Sequence, residues 1–331
     1  MLKLAHKHLW KKDRIDNHFP KLDHDIEVDV LIIGGGVSGA LSAYIFQEKN
    51  INVALIERGK IVNESPIGST SPEEIDTDFK KIIPYLDEVQ VMDTFSFTLE
   101  MIYKLDDMTD NLADKCEFFR NPSLNYSNQD EGTDSCDTKG DSNQFAFPLC
   151  ECLSYNSGVR VNPLKLTNQL FKYCKKKGLP IYENTEVYEF KLENNGVTVV
   201  TKDKKQILCK KVLMASSYDS SLFFDKNLNW QEHRLFKKIE TLKQQDKHLL
   251  TQYKYQMIEG NNAVEYHFNG LMSDKKDDIL YIDEHNEYPN IYFNFGIDNK
   301  GLLYTLMGAT LLSDKYLGIN NKRLNMFKLY R

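Results

Sequence analysis

Three things are scarce in this chain of 331 residues, and each scarcity excludes something. No apolar run approaches the ~18 residues of a membrane-spanning helix, so no transmembrane segment is expected. Positive charge is not in excess. Lys and Arg number 42 against 48 Asp and Glu, a net charge of -6, which argues against a nucleic-acid surface. The cysteines (Cys116, Cys136, Cys150, Cys152, Cys174 and Cys209) are scattered, form no C-x-x-C pair and lack histidines at zinc spacing. Reduced thiols in a cytoplasmic protein are the simplest reading, and Cys150-Glu151-Cys152 is read as chance spacing rather than a redox pair. The first twenty residues carry no apolar signal core, so secretion is not expected. The length allows a large core in one or two domains.

What is present centres on residues 28–57. Val28-Asp29-Val30-Leu31-Ile32-Ile33 is a short, nearly all-apolar run, as expected of a parallel strand covered on both faces. Gly34-Gly35-Gly36-Val37-Ser38-Gly39 follows directly and fits G-x-G-x-x-G. In that pattern Gly34 permits the tight turn, Gly36 lets a pyrophosphate approach, and Gly39 lets helix and strand pack closely. A helix with Ala40, Leu41, Tyr44 and Ile45 on one face should come next, its N-terminal amides facing phosphates. Asn52-Val53-Ala54-Leu55-Ile56-Glu57 reads as a second strand, ending in a carboxylate that can accept from a ribose hydroxyl pair. A glycine-rich turn without a ligand is the rival reading of the same residues.

Further along, apolar residues from 88 to about 112 recur every three or four positions and predict an amphipathic packing helix. A short strand is expected around Glu117-Phe118-Phe119, then a mobile polar loop over 125–144. Asn162-Pro163 opens a helix through Cys174, stopped by Gly178-Leu179-Pro180. A β-rich block follows: Ile181-Tyr182, a strand over 185–192, a turn at Asn194-Asn195-Gly196, Val197 to Val200, Ile207 to Lys211, and a buried strand Val212-Leu213-Met214-Ala215. A helix is expected over 235–257, a strand over 290–295, a turn from Gly296 to Gly301, and a helix over 302–317.

Taken together, these pieces resemble the FAD-dependent oxidoreductases of the D-amino-acid oxidase and glycine oxidase superfamily. Residues 28–61 are similar to the opening motif, which would place Gly34, Gly35, Gly36, Val37, Ser38, Gly39, Glu57 and Arg58 at the cofactor. Gly68-Ser69-Thr70-Ser71 resembles the family's flavin loop. Residues 161–187 resemble the helix and strand that bring a backbone valine, here Val187, to the adenine. Residues 212–218 stand where the family has strand-Ala-Thr-Gly-Tyr, with Ala215 and Ser216 at the cofactor. The closing segment resembles 289–318, where Gly296, Gly301 and Leu302 would face the flavin pyrimidine. Trp230-Gln231-Glu232-His233-Arg234 faintly resembles a stretch whose arginine binds the substrate carboxylate, which makes Arg234 the weak candidate for that role.

The chain also departs from that pattern. Ser71 passes straight to Pro72-Glu73-Glu74, where relatives line the flavin with small residues. Ser217, Asp298-Asn299 and the acids of 277–283 stand where relatives have glycines, and the second domain looks shortened.

The resemblance implies an α/β fold: an FAD/NAD(P)-binding Rossmann-like domain of residues 1–80, 150–220 and 275–331. A reduced antiparallel-sheet substrate domain of 81–149 and 221–274 would complete it. It implies FAD as cofactor and a small amine or amino acid as substrate, oxidised by hydride transfer to flavin, with the electron acceptor unassigned. The alternative is a degenerate, inactive relative that keeps the fold with weak or no FAD binding. A nicotinamide-dependent dehydrogenase is a third reading.

Overall fold

Strand β1 (Ile26–Ile33) is apolar on both sides because both of its faces are covered. Val30 and Ile32 belong to a core shared with the helices, whereas Leu31 and Ile33 belong to a second core on the opposite face. The computed structural model describes residues 18–61, 73–75, 88–126, 153–215, 250–259, 262–271, 281–284, 289–295 and 301–327. Within them β1 is followed by α1 (Val37–Glu48) and β2 (Val53–Ile56), and β2 pairs parallel with β1.

Strand β3 (Glu73–Ile75), helix α2 (Glu88–Asp110), β4 (Phe119–Tyr126) and β5 (Leu153–Val161) come next, and β3, β5 and β4 form a separate antiparallel sheet. Helix α3 (Pro163–Lys176) leads to β6 (Ile181–Tyr182), β7 (Val187–Glu193), β8 (Gly196–Thr201) and β9 (Gln206–Met214). The hairpin β10 (Leu250–Glu259) and β11 (Asn262–Leu271) stands apart as a two-stranded sheet. Strands β12 (Tyr281–Glu284) and β13 (Ile291–Phe295), helix α4 (Gly301–Tyr316) and a 3-10 turn (Lys322–Phe327) complete the described elements.

The main sheet runs β12-β13-β9-β1-β2-β6, with β7 and β8 continuing from β9. Pairings β13–β9, β9–β1, β1–β2 and β2–β6 are parallel. Helices α1, α2, α3 and α4 share the core on one face, while Val187, Val197, Val199, Ile207 and Cys209 of the β7–β8–β9 meander cover the other. Helix α2 falls within residues 81–149 of the expected second domain, yet its Phe97, Met101, Ile102, Leu105 and Met108 join this core. Helix α1 is buried from Gly39 to Phe46, all round rather than on one face, because α3 and α4 flank it on the sheet.

Helix α3 starts as the sequence predicts. The Asn162 side chain accepts from Lys165 N–H at 3.0 Å, and Pro163 occupies the first turn. It ends at Gly178, whose φ of +88° suits glycine at a helix C-terminus.

Four expectations are corrected. The strand expected at 117–119 begins only at Phe119, because Cys116 and Glu117 both take the left-handed conformation (φ 57° and 54°) and turn the chain first. Asn125 and Tyr126, expected to open the mobile loop, are strand residues paired with Ser154 and Leu153; the rest of that loop lies outside the described residues. The two strands expected at 207–211 and 212–215 are the single strand β9, which pairs with β1 along its length and with β8 at its start. The helix expected over 235–257 is overturned where it is described, since residues from Leu250 onward form β10. The alternation Tyr253-Lys254-Tyr255-Gln256 has period two, and Gly260-Asn261 is a two-residue hairpin signal. The rest of that helix, 235–249, lies outside the described residues.

Candidate functional site

The carboxyl ends of the parallel strands form one edge. Ile33 of β1 stands opposite Ile56 of β2 and Met214 of β9, and Met214 stands opposite Phe293 of β13. From β1 the chain proceeds to β2 and β6 on one side, whereas β9 and β13 lie on the other. That reversal makes β1/β9 the topological switch point, where ligands of open α/β sheets bind. Gly34 follows Ile33, and Ala215 follows Met214. They meet there: Ala215 N–H donates to Ile33 O at 2.9 Å.

The glycine loop has the geometry its sequence requires. Gly34 has φ +123°, outside the range of other residues. A Cβ on Gly39 would stand 1.9 Å from Gly34 O, so helix and loop can be this close only with glycine. Gly36 is the N-cap of α1 and supplies no side-chain cap. Among the described residues the Ser38 hydroxyl, buried in the first turn, has no hydrogen-bond partner. Uncapped amides, a helix dipole and an unpaired hydroxyl together make a site for an anion such as a pyrophosphate.

Glu57 lies beside this loop. Its Oε2 accepts from Gly35 N–H at 2.6 Å and its Oε1 from Gly59 N–H at 2.9 Å. Those bonds orient the carboxylate. A carboxylate offers about four acceptor positions, so two remain for a ribose hydroxyl pair. Glu57 O accepts from Thr185 N–H at 2.8 Å, which carries the start of β7 and Val187 to the same edge. Arg58 is exposed next to it.

Helix α4 also begins at this edge, since it follows β13. It runs parallel to α1, because Lys49, just past the end of α1, bonds Asp314 and Thr310 O near the end of α4. Gly301 opens α4, and Leu302 is buried in its first turn. The structure therefore gathers Gly34, Gly35, Gly36, Val37, Ser38, Gly39, Glu57, Arg58, Val187, Ala215, Gly301 and Leu302 at one edge. Gly68, Ser69, Thr70, Ser71, Ser216, Arg234 and Gly296 lie outside the described residues.

Cys116, Cys174 and Cys209 are free, and burial pushes each thiol up to about 12, so they are not thiolates at neutral pH. Among the described residues no group of His, Cys, Asp and Glu could hold a metal, and no helix is long and apolar enough to cross a membrane. Sequence reasoning missed Glu183, a buried carboxylate behind the Glu57 loop. A lone glutamate after a two-residue strand gives no pattern to read.

The fold and edge define an α/β protein of the dinucleotide-binding kind. Residues 29–238 match the model of the family described as FAD dependent oxidoreductase (DAO), more than half of the chain, and the chain belongs to that family. A curated relative, the provisionally named Rieske 2Fe-2S iron-sulfur protein YhfW of Bacillus subtilis (strain 168), is 22% identical over 224 residues. That match covers 63% of this chain and 44% of the relative, so the chain spans less than half the length of that curated relative. Among solved structures, the chain resembles glycine oxidase from Bacillus cereus ATCC 14579 (17% identity, 92% and 99% of the two chains, TM-score 0.62). It also resembles L-amino acid deaminase from Proteus vulgaris (13% identity, 96% and 99%, TM-score 0.66). At these identities the likeness is one of fold.

Proposed function

We propose that this chain binds FAD and oxidises a small amine or amino acid. The observation that carries the reading is the glycine loop at the switch point, with its uncapped helix start, a Ser38 hydroxyl without a partner among the described residues and the oriented Glu57 carboxylate beside it. Membership of an FAD-dependent family supports the choice of cofactor.

In this reading the amides of residues 34–39 and the Ser38 hydroxyl donate to the pyrophosphate. Glu57 accepts from the adenosine ribose, and the backbone at Val187 borders the adenine. The Glu57 carboxylate disfavours a ribose carrying a further phosphate. Ala215, Ser216, Gly68, Ser69, Thr70, Ser71, Gly296, Gly301 and Leu302 are the candidates for the flavin end, and the start of α4 favours negative charge there. Arg234 is the weak candidate for the substrate carboxylate. Bound flavin supplies a two-electron acceptor for the hydride leaving the carbon that bears nitrogen. Residues 1–80, 150–220 and 275–331 form the cofactor domain of this reading, and 81–149 with 221–274 the reduced substrate domain.

The glycines replaced at Ser217 and Asp298-Asn299 favour a second reading, a relative that keeps the fold and has lost catalysis. The visible spectrum of the purified protein, followed by FAD titration and anaerobic reduction with amines and amino acids, separates the two. A flavin spectrum bleached by substrate supports the first reading. Flavin that no substrate reduces supports the second. A colourless protein that takes up no FAD overturns the first, and nicotinamide binding without flavin turns it into a dehydrogenase.

A further inference from the structure

Behind the Glu57 loop lies Glu183, 3% exposed, at the end of β6. Each of its two oxygens accepts from a different backbone amide. Oε1 accepts from Ile61 N–H at 2.9 Å, and Oε2 accepts from Phe19 N–H at 3.5 Å. Each amide belongs to a segment that does something different.

On the nucleotide side, Ile61 lies against the glycine loop: a Cβ on Gly35 would stand 2.8 Å from Ile61 Cγ1 and 2.9 Å from Glu57 Cγ. The neighbours of Glu183 grip the same loop. Asn184 N–H donates to Gly59 O at 2.9 Å, and Thr185 N–H donates to Glu57 O at 2.8 Å. The stretch from Glu57 to Ile61 is thus held by Gly35 on one side and by residues 183–185 on the other. On the far side, Glu183 N–H donates to Pro20 O at 3.0 Å. Leu22 N–H donates to the Thr185 hydroxyl at 3.1 Å, and that hydroxyl donates to Glu183 O at 2.9 Å. Phe19 and Leu22 are both buried, and Phe19 packs edge-on against Phe171 at 6.3 Å.

We infer that Glu183 is a positioning residue that couples nucleotide binding at residues 34–61 to the docking of residues 18–22. The inference rests on the flavoprotein reading above. Filling the site fixes Gly35, Glu57 and Ile61, which fixes the Glu183 carboxylate and so strengthens the hold on Phe19. By linkage a docked segment tightens the site by the same factor. A glutamate is needed because both partners are donors. A glutamine could accept from only one of them, and its NH2 would confront the other N–H.

Hydrogen exchange of the amides of Phe19 and Leu22, with and without FAD, tests the coupling in the full chain, alongside FAD and ADP titrations. In the wild-type protein FAD should raise their protection about tenfold, near the low end of usual site-to-site coupling. Glu183→Gln should weaken FAD and ADP by about the same factor and abolish the gain, while protection of β1 amides stays unchanged. A merely structural role would lower protection equally with and without nucleotide. If Glu183→Gln fails to fold, Thr185→Val decides, since it deletes the hydroxyl that holds Leu22 and keeps the backbone bond to Glu57. It should reduce the FAD-dependent gain at Leu22. Wild-type affinity in the folded variant, or a gain that persists, overturns the coupling alone. A wild-type chain that binds neither FAD nor ADP overturns the flavoprotein reading and the coupling with it.

Discussion

The sheet carries two strand-to-helix crossings that start at one edge and run parallel, β1–α1 and β13–α4, and they are built differently. In the first, close approach is needed where the helix begins, with Gly39 against the Gly34 carbonyl. In the second it lies about two turns into the helix, where a Cβ on Gly308 would stand 2.0 Å from Asn294 Oδ1. That Asn294 side chain is buried. Its Nδ2 donates to Thr305 O at 2.9 Å, and among the described residues its Oδ1 has no partner. Charge is also placed oppositely. The first crossing leads to Glu57 at the carboxyl edge, whereas the second gathers Lys211, Glu284 and Lys315 near the amino end of β13. In the proposed reading the first crossing serves a ligand, whereas the second is shaped around its own packing.

The largest expected effect breaks this contrast if it fails. Gly39→Ala puts a methyl group into a backbone carbonyl, which cannot rotate away. We expect a loss near the upper end of overpacking costs, about 3 kcal/mol, together with loss of FAD binding, read by urea unfolding and FAD titration. Gly308→Ala meets a side chain instead and should cost about 1–3 kcal/mol. Adding Asn294→Ala should recover most of it, because the obstacle and the unpaired Oδ1 leave together. No second-site change of that kind should rescue Gly39→Ala. If Asn294→Ala restores neither variant, the contact at Gly308 is not what limits the second crossing.

Next in size is the carboxylate beside the first crossing. Glu57→Ala removes a charge-assisted acceptor, about 1.5–3 kcal/mol, or roughly tenfold to a hundredfold in FAD affinity. ADP should weaken by the same factor if the carboxylate serves the adenosine ribose. Equal affinity of variant and parent for both ligands would remove Glu57 from the site and leave it as a brace for Gly35 and Gly59.

The first crossing was legible in the sequence because a tight turn and a close helix–loop approach force glycine at fixed spacing, and Gly34 to Gly39 followed by Glu57 carries that constraint without any structure. The Asn162 cap and the Gly178 stop were legible too, because caps are local chemistry. Glu183 was not, since its meaning lies in amides 122 and 164 residues away in sequence. Asn294 and Gly308 were hidden because one polar residue in a strand and one glycine in a helix each have many uses. Residues 250–257 of β10 read as the end of a helix because mixed polar and aromatic runs fit either period.

The smallest expected effect separates the two ends of the sheet. Glu284 is half-buried beside β13. Burial alone would raise its carboxyl, but the hydrogen bonds from Lys211 Nζ at 2.5 Å and Asn290 N–H at 2.7 Å, with the charges of Lys211 and Lys315, outweigh it and hold the group below the ordinary carboxylate range. A depressed folded-state value means the unfolded chain takes up the proton first as pH falls. The stabilisation is therefore present at neutral pH and is lost as pH drops from the unfolded value through the folded one. Glu284→Gln cannot ionise, so it should be less stable than the parent by about 1 kcal/mol at pH 7. The gap should narrow steadily in urea titrations carried towards pH 4 and below. Because this cluster lies at the amino end of β13, FAD affinity at pH 7 should not change in Glu284→Gln. A weakened FAD affinity would mean that the charge cluster reaches the carboxyl edge and that the two crossings are not as separate as their geometry makes them.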